Sequence, residues 1–253
     1  MKLKMFNSIE IQQLTNIVDE RCSFKYTWNN YFGIDLHDVE CYLQNDILVL
    51  KKSFGDYSRI YLMTNSEIEL IDVLKTLPKN SIINIPSRKG IDIWKTVFER
   101  SGYSPLAVYR RYVYTTYKKG NSRNIHYAKL SDIEYLLRDL NHFFSPLTGH
   151  LPNKMQLTKF VKNENIVVDR DLQTGEIKGA LCFDISGKRC ELLFWFHYGG
   201  NGLALLYNVF YLCHEKGVKN ILFWVNDDNI STIGIHKMLG AKEDGLVDYL
   251  FNK

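Results

Sequence analysis

The stretch that decides the fold prediction is Phe194-Trp195-Phe196-His197-Tyr198-Gly199-Gly200-Asn201-Gly202-Leu203-Ala204, in which an apolar strand passes through glycines directly into a helix. Glycines allow a sharp turn and let a ligand approach the backbone closely. The first N–H groups of a helix have no partner inside the helix, so they form a favourable site for a phosphate. The stretch is neither a P-loop nor a dinucleotide fingerprint, and taken alone a tight turn without a ligand is the simpler interpretation.

The segments around this stretch predict the rest of the second half. Apolar residues at helical spacing predict helices near 130–140 and 154–162, and a helix at 202–216 that ends at Gly217. Short β-branched or aromatic runs predict strands at 165–170, 177–184, 191–196 and 220–226. A further helix that begins at Asn229 and a strand at 245–251 complete the order α-α-β-β-β-α-β-α-β, which predicts an α/β (α+β) domain with a mixed sheet.

The two halves of the chain resemble each other near their ends. Residues 81–86 form a predicted strand followed by an amphipathic helix closed by Gly102, and residues 220–226 are followed by a helix closed by Gly240. A polar, Gly-containing segment at 117–124 is typical of a linker. We therefore predict two related domains, 1–120 and 121–253, although a chance match between common β-α-β units remains an alternative.

The composition narrows the class of protein. The chain has 253 residues, 45% of them apolar, and a net charge of +4, which is globular and does not demand a nucleic-acid partner. Its five cysteines include no C-x-x-C pair, a usage that favours a reducing cytoplasm and gives no zinc signature. Apolar runs of about five residues are far shorter than the ~20 that a membrane span needs. We expect a cytoplasmic protein without a membrane or nucleic-acid partner, of undetermined oligomeric state.

The ordered set of motifs in the second half resembles the GNAT acyl-CoA N-acyltransferase superfamily. Residues Gly199 to Ala204 fall on the family's Q/R-x-x-G-x-G/A phosphate loop, and Asn229, His236 and Gly240-Ala241 fall on its later Asn, Tyr and Gly-Phe positions. The resemblance covers 125–253, and the first half looks like a degenerate copy. It implies two GNAT-like domains, each a mixed, mostly antiparallel sheet flanked by helices, with acetyl-CoA as co-substrate and no metal.

The resemblance also implies roles for particular residues. Glu191 is expected to be the general base, and His236, in place of the family tyrosine, the general acid that protonates the leaving thiolate. The acceptor is expected to contact His142, Phe143 and His197. The residues expected to bind the co-substrate are Phe194, Trp195, Phe196, Gly199, Gly200, Asn201, Gly202, Leu203, Ala204 and Asn229. Gly199 stands where the family has Gln or Arg, so a side-chain contact to the pyrophosphate is missing.

Each of these residues also has a plainer interpretation. Glu191 follows Lys188-Arg189 and fits a solvated strand end, and His236 fits a half-buried helix face. Phe194, Trp195 and Phe196 fit a hydrophobic core, and a solvated, Pro-constrained loop explains His142 and Phe143. His197 fits a loop residue without a catalytic role.

The preferred functional hypothesis is an N-acetyltransferase that moves an acetyl group from acetyl-CoA to the primary amine of a small molecule or peptide. One alternative is a tandem GNAT relative that takes its acyl group from another carrier, aminoacyl-tRNA or acyl carrier protein. The other is a non-catalytic GNAT-like binding module. Replacement of the loop Gln/Arg and of the family tyrosine keeps both alternatives open.

Overall fold

The computed structural model describes residues 4–5, 8–21, 23–27, 39–44, 46–120, 125–171, 173–199 and 202–253. The chain divides into two compact units, residues 1–109 with 246–253 and residues 110–245. These bounds differ from the predicted boundary at 120/121. The first unit ends at residue 109, and the last eight residues of the chain, 246–253, belong to it rather than to the second unit. The segment 121–124 of the predicted linker lies outside the described residues.

Unit 1 is built from short strands and three helices that the described residues define, continuing into a strand that it shares with unit 2. The elements are β1 Lys4–Met5, α1 Ser8–Glu20, β2 Tyr26–Thr27, β3 Val39–Gln44, β4 Ile47–Phe54, β5 Tyr57–Thr64, α2 Glu67–Thr76, β6 Ser81–Ser87, α3 Asp92–Ser101 and β7 Ser104–Tyr114. Strands β3, β4 and β5 are antiparallel neighbours, whereas β5 and β6 are parallel. The sheet is therefore mixed and mostly antiparallel.

The main core of unit 1 forms where α2 and α3 cover this sheet. Leu70 and Leu74 of α2 and Val97 and Phe98 of α3 are fully buried in one cluster. Leu70 and Leu74 are four residues apart, as are Trp94 and Phe98 of α3 in the same cluster, so each pair lies on one helix face.

Unit 2 follows the predicted order of elements. After β8 His126–Tyr127 and a 3₁₀ turn, Leu130–Asp132, the elements are α4 Ile133–Phe143, α5 Lys154–Lys162, β9 Ile166–Arg170, β10 Ile177–Ser186, β11 Arg189–His197, α6 Leu203–Glu215, β12 Asn220–Asn226, α7 Ile230–Met238 and β13 Lys242–Asn252. The strand order is β7-β12-β11-β10-β9-β8. Residues 246–252 of β13 belong to unit 1, where they pair antiparallel with β6.

The sheet of unit 2 separates two cores. One packs around α6 and contains Leu206, Val209 and Phe210, and the other packs around α4 and α5 and contains Leu136 and Leu157. The prediction of an α/β (α+β) fold, with a mixed, mostly antiparallel arrangement of strands flanked by helices, is confirmed. So are the helix closures at Gly102 and Gly240, which have positive φ and are followed by a backbone bond to the helix.

Candidate active site

The central feature of unit 2 is a parallel pair of strands that separates part of the way along. The ladder between β11 and β12 runs from Arg189↔Asn220 to Leu192↔Phe223 and is recorded no further among the described residues. Both strands continue, to His197 and Asn226 respectively. The second half of β11 therefore presents a free backbone edge on the β12 side, and an extended ligand can pair with such an edge.

A bulge marks the point of separation. Phe183 of β10 pairs with Leu192 and Cys182 pairs with Phe194, so Leu193 is an extra residue on β11. The bulge changes which residues face each side of the sheet: Leu192 before it joins the core around α6, whereas Phe194 after it joins the core around α4 and α5. Leu193 itself is 42% exposed.

The N-terminus of α6 is open to an anion. Gly202 precedes the helix without a side-chain cap, and the first turn contains no acidic residue. Among the described residues, the early N–H groups therefore have no acceptor from a capping side chain, and the helix dipole favours negative charge there. Leu203 is half-buried and Ala204 is exposed, while Gly200 and Asn201 of the predicted loop lie outside the described residues.

The indole of Trp195 packs against this helix start. A Cβ added to Gly202 would lie 2.6 Å from Trp195 Nε1, so only glycine leaves room for the ring. Nε1 is buried and has no hydrogen-bond partner among the described residues. A buried donor without an acceptor costs free energy, which a ligand oxygen at the helix start would recover. The neighbouring Phe194 and Phe196 are core residues, as their plainer interpretation predicted.

His236 is a core residue of α7. It is 2% exposed, its Nδ1 lies 2.6 Å from the hydroxyl of Tyr114, and its ring centroid is 4.0 Å from that of Phe223. Burial lowers the pKa of His236 to about 4, so the ring is neutral at pH 7. The general-acid role that the resemblance implies assumed an imidazolium, and this environment opposes that charged form. Asn229, expected near the co-substrate, caps α7 through a bond from Thr232 N–H.

Glu191 lies two residues before the bulge on β11. Its Cα is paired with Asp184 on β10 and Leu222 on β12, and the residue is half-buried. Burial raises the pKa of Glu191, and the charges of Arg189 and Arg111 oppose this rise. A carboxylate with a raised pKa close to a strand separation has the properties of a general base.

The residues expected to contact the acceptor do not come together. His142 and Phe143, at the end of α4, form an aromatic group with Phe196 and Tyr198, with the Phe143 and Phe196 centroids 4.9 Å apart. His197 alternates with Phe196 along β11, so its side chain faces the opposite side of the sheet. There it contacts Asp169 and Gly199.

A cavity of about 490 Å³ lies in unit 2 between α4 and the turn that joins β9 to β10. Its lining includes Asp132, Arg170, Lys178 and Tyr198, and none of the residues predicted for the active site. Arg170 pairs with Asp132 and Lys178 pairs with Asp171, so these charges largely satisfy one another. The cavity is separate from the strand separation at Leu193.

Comparison with known proteins identifies the fold. No protein-family model matches the sequence, and the comparison with curated proteins finds no match. Among solved structures, a GCN5-related N-acetyltransferase from Sphaerobacter thermophilus is similar over 88% of this chain and 83% of its own, at 12% identity and TM-score 0.59. A GNAT-family acetyltransferase from Colwellia psychrerythraea is similar over 100% of both chains, at 9% identity and TM-score 0.57.

A third similar structure is a tandem GNAT protein from the clavulanic acid biosynthesis pathway, which matches 85% of this chain and 82% of its own, at 8% identity and TM-score 0.55. The fold of this chain is therefore that of the GNAT acetyltransferases, in the tandem arrangement. At these identities the likeness establishes the fold and leaves the activity to be argued from the site.

The described residues also bear on metal binding and on membrane-spanning helices. In the described ranges, no group of three or more His, Cys, Asp or Glu side chains is arranged to hold a metal ion. Within the same ranges, every helix falls short of the length and apolar character needed to cross a bilayer.

The sequence reasoning missed several residues that shape the site. Tyr114 lies on β7, 122 residues before its partner His236, and Asp169 lies 28 residues before His197. Only Gly179 carried a local signal, because an isolated glycine inside a strand pattern indicates a close approach by a neighbouring group. That signal does not say which group approaches.

Proposed function

We propose that unit 2 binds acetyl-CoA and transfers its acetyl group to the primary amine of a small molecule or peptide by direct attack. The observation that carries the proposal is the separation of β11 from β12 at a bulge, beside a helix start that has no capping side chain and no acidic residue. The free strand edge suits an extended pantetheine arm, and the helix start suits a pyrophosphate. The likeness to GNAT acetyltransferase structures supports the same assignment.

The residues present fit the co-substrate. The N–H groups at Gly202, Leu203 and Ala204 would hold phosphate oxygens, and Trp195 Nε1 is a buried donor close to them. When bound, acetyl-CoA supplies the activated acyl group and a thiolate leaving group. The missing side-chain contact at Gly199 leaves the backbone as the main phosphate-binding element.

Glu191 is proposed as the general base. An amine is nucleophilic only when neutral, so a proton must leave it before attack. Burial raises the pKa of Glu191, which makes the carboxylate a better proton acceptor than a solvated glutamate. Its position on β11, two residues before the bulge, supports a role in taking up this proton directly or through one water.

The main chain at the bulge is proposed to polarise the acetyl carbonyl. Leu193 is the residue of β11 that the ladder with β10 leaves out, and the ladder with β12 has ended one residue earlier. We propose that its N–H group donates to the carbonyl oxygen where negative charge develops. A preorganised backbone donor of this kind is worth about 10²-fold or more in rate.

His236 keeps only a restricted role. The hydroxyl of Tyr114 can donate to Nδ1, which leaves the ring proton on Nε2. A neutral imidazole of this tautomer donates a hydrogen bond to a developing thiolate but is a weak acid. We propose that it stabilises the thiolate rather than protonating it as an imidazolium.

Calorimetry with acetyl-CoA, followed by a thiol-release assay with a panel of primary amines, tests the proposal. We expect micromolar binding with one site per chain, and release of CoA that depends on the amine. Binding that is undetectable at millimolar acetyl-CoA would refute it.

The burial of His236 favours a second candidate, a non-catalytic module that binds an acyl-CoA. This candidate predicts the same calorimetric binding but no release of thiol with any amine. The two functions are separated by turnover, because Glu191→Gln changes nothing measurable in a module that performs no reaction.

A further inference from the structure

The end of β11 carries a hydrogen-bonded group that the proposed chemistry does not use. His197, Gly179 and Asp169 lie opposite one another on three adjacent strands, since Gly179 pairs with His197 on one side and with Asp169 on the other. The imidazole lies across the glycine: a Cβ on Gly179 would be 2.4 Å from His197 Cδ2. Glycine is therefore what allows the ring to reach Asp169, with 2.9 Å between Nε2 and Oδ2.

The second ring nitrogen fixes the protonation state of His197. Gly199 N–H donates to Nδ1 at 2.9 Å, so Nδ1 carries no proton and Nε2–H donates to Asp169. The side chain is only 8% exposed and both nitrogens are engaged. The contact with the acceptor expected for His197 stays a prediction, since both of its ring nitrogens already bond groups of the protein.

The partner of Nδ1 gives the ring a different role. Gly199 is the second residue after β11 and the first position of the segment that resembles the phosphate loop. The imidazole therefore holds the main chain of Gly199 against the sheet, three residues before Gly202 at the start of α6. Asp169 holds the ring in the tautomer that can accept from Gly199, in the same way that an outer carboxylate orients a metal-binding histidine.

We propose that the Asp169–His197 pair is a positioning device that holds the main chain at Gly199, three residues before the helix start that we assign to the pyrophosphate of an acyl-CoA. The inference rests on the proposed function of unit 2. Gly199 has no side chain that could contact the pyrophosphate. His197 instead contacts the main chain of Gly199 and holds it in position.

Two substitutions of His197 separate this role from a general structural one. In His197→Asn, the side-chain oxygen takes the place of Nδ1 and can accept from Gly199 N–H. In His197→Gln, the amide reaches toward Asp169 but leaves Gly199 without an acceptor. We expect His197→Gln to weaken acetyl-CoA binding about tenfold, the usual effect of one lost hydrogen bond, and His197→Asn to stay within about threefold of the wild type.

Kinetics provide a second readout, since no atom of His197 is expected to touch the reacting atoms. His197→Gln should raise KM for acetyl-CoA and leave kcat within about twofold, and His197→Asn should restore KM. His214→Gln makes the same exchange on an exposed histidine near the C-terminus of α6, and serves as the control. Long-range ¹H–¹⁵N NMR of the imidazoles reads the tautomer of His197 directly, and we expect the proton on Nε2.

The outcomes are distinguishable. Wild-type binding that His197→Gln leaves unchanged, or that both variants weaken equally, overturns the positioning role while the proposed function stands. A proton on Nδ1 also overturns it. Failure of the wild type to bind acetyl-CoA refutes the proposed function itself, and with it the purpose assigned to the pair.

Discussion

Units 1 and 2 each contain a pair of parallel strands that separates part of the way along, but the space beside the separated strands differs between them. In unit 1 the ladder between β5 and β6 ends at Ile60↔Ile83, as the ladder between β11 and β12 ends at Leu192↔Phe223. Beyond that point β5 pairs with β2 through Met63↔Thr27 and Thr64↔Tyr26. Because β4 already occupies the other edge of β5, β2 lies in the gap that β6 leaves. Unit 1 fills with its own chain the position that unit 2 keeps free.

The N-termini of the helices that follow these strands also differ, in their capping side chains and in the charge of the first turn. Helix α2 has a capping side chain, since Ser66 accepts from Glu69 N–H, and its first turn contains Glu67 and Glu69. Tyr26 of β2 donates to Glu67, which joins the inserted strand to the helix start. Helix α6 has neither a capping side chain nor an acid in its first turn. An anionic ligand is therefore disfavoured at α2 and favoured at α6.

The comparison shows that a shared fold does not imply a shared site. The backbone groups left unpaired by the separated strands and by the helix start must find partners in either unit. In unit 1 residues of the same chain supply them, and in unit 2 we expect a ligand to do so. The predictions below test this difference, starting with the largest expected effect.

The largest effect is expected from Gly202→Asp. The new side chain would collide with the indole of Trp195 and place a negative charge at the N-terminus of α6. Calorimetry should show loss of acetyl-CoA binding, at least about 10³-fold. The matched control is Ser66→Asp in unit 1, which retains a good cap on α2 and should leave one site of unchanged affinity. A second site per chain in the wild type would contradict the comparison.

Glu191→Gln is expected to lower kcat by about 10³-fold, because the amide cannot accept the proton of the amine. The affinity for acetyl-CoA should change by less than about threefold. Asp184→Asn alters the carboxylate paired with Glu191 across the strands and should have little effect on kcat. Equal rates for wild type and Glu191→Gln in steady-state assays would remove Glu191 from the mechanism.

Asp248→Asn tests a buried carboxyl of unit 1. Asp248 accepts from Asn84, and burial raises its pKa to about 7. The folded state therefore binds a proton more tightly than the unfolded state, so wild-type stability falls as pH rises from about 4 to 7, by up to about 4 kcal/mol. The variant should lack this fall in urea denaturation across that range. Parallel curves for the two proteins would show that Asp248 titrates normally.

His236→Phe tests the buried histidine of unit 2. Its pKa is lowered rather than raised, so stability should change with pH in the opposite direction to that expected for Asp248. Because the pKa in the folded state is about 4, the unfolded state binds a proton on His236 more tightly than the folded state does. Wild-type stability should thus fall as pH drops from about 6.5 to 4, by up to about 3 kcal/mol. The variant should lose this dependence in the same denaturation series. Its comparison with Tyr114→Phe/His236→Phe, in which the partner hydroxyl is also removed, corrects for the orphaned Tyr114.

The smallest effect is expected from Tyr26→Phe. It removes the 2.7 Å hydrogen bond to Glu67 and should cost about 1 kcal/mol of unfolding free energy. The affinity for acetyl-CoA should stay unchanged, since the bond belongs to unit 1. A changed affinity, measured by calorimetry on the folded variant, would show that the occupied gap of unit 1 influences the ligand site.

Local patterns in the sequence determined much of the fold. Helix α5 occupies the predicted 154–162, because Asn153 and Gln156 form a reciprocal cap at its start. Helix α6 ends before Gly217, whose positive φ suits glycine. The stretch at 194–204 likewise predicted a strand followed by a helix, which are β11 and α6, since turn chemistry and apolar periodicity act over a few residues.

Only the tertiary structure determined which side chains contact one another at the site. The insertion of β2 beside β5, the Tyr114–His236 contact, the His197–Asp169 pair over Gly179 and the transfer of residues 246–252 to unit 1 all join segments far apart in the chain. Such contacts depend on strand register, which places a side chain on one face or the other and brings distant residues opposite each other. Residue type predicts burial and turns, but the environment that neutralises His236 and orients His197 exists only once the sheet has formed.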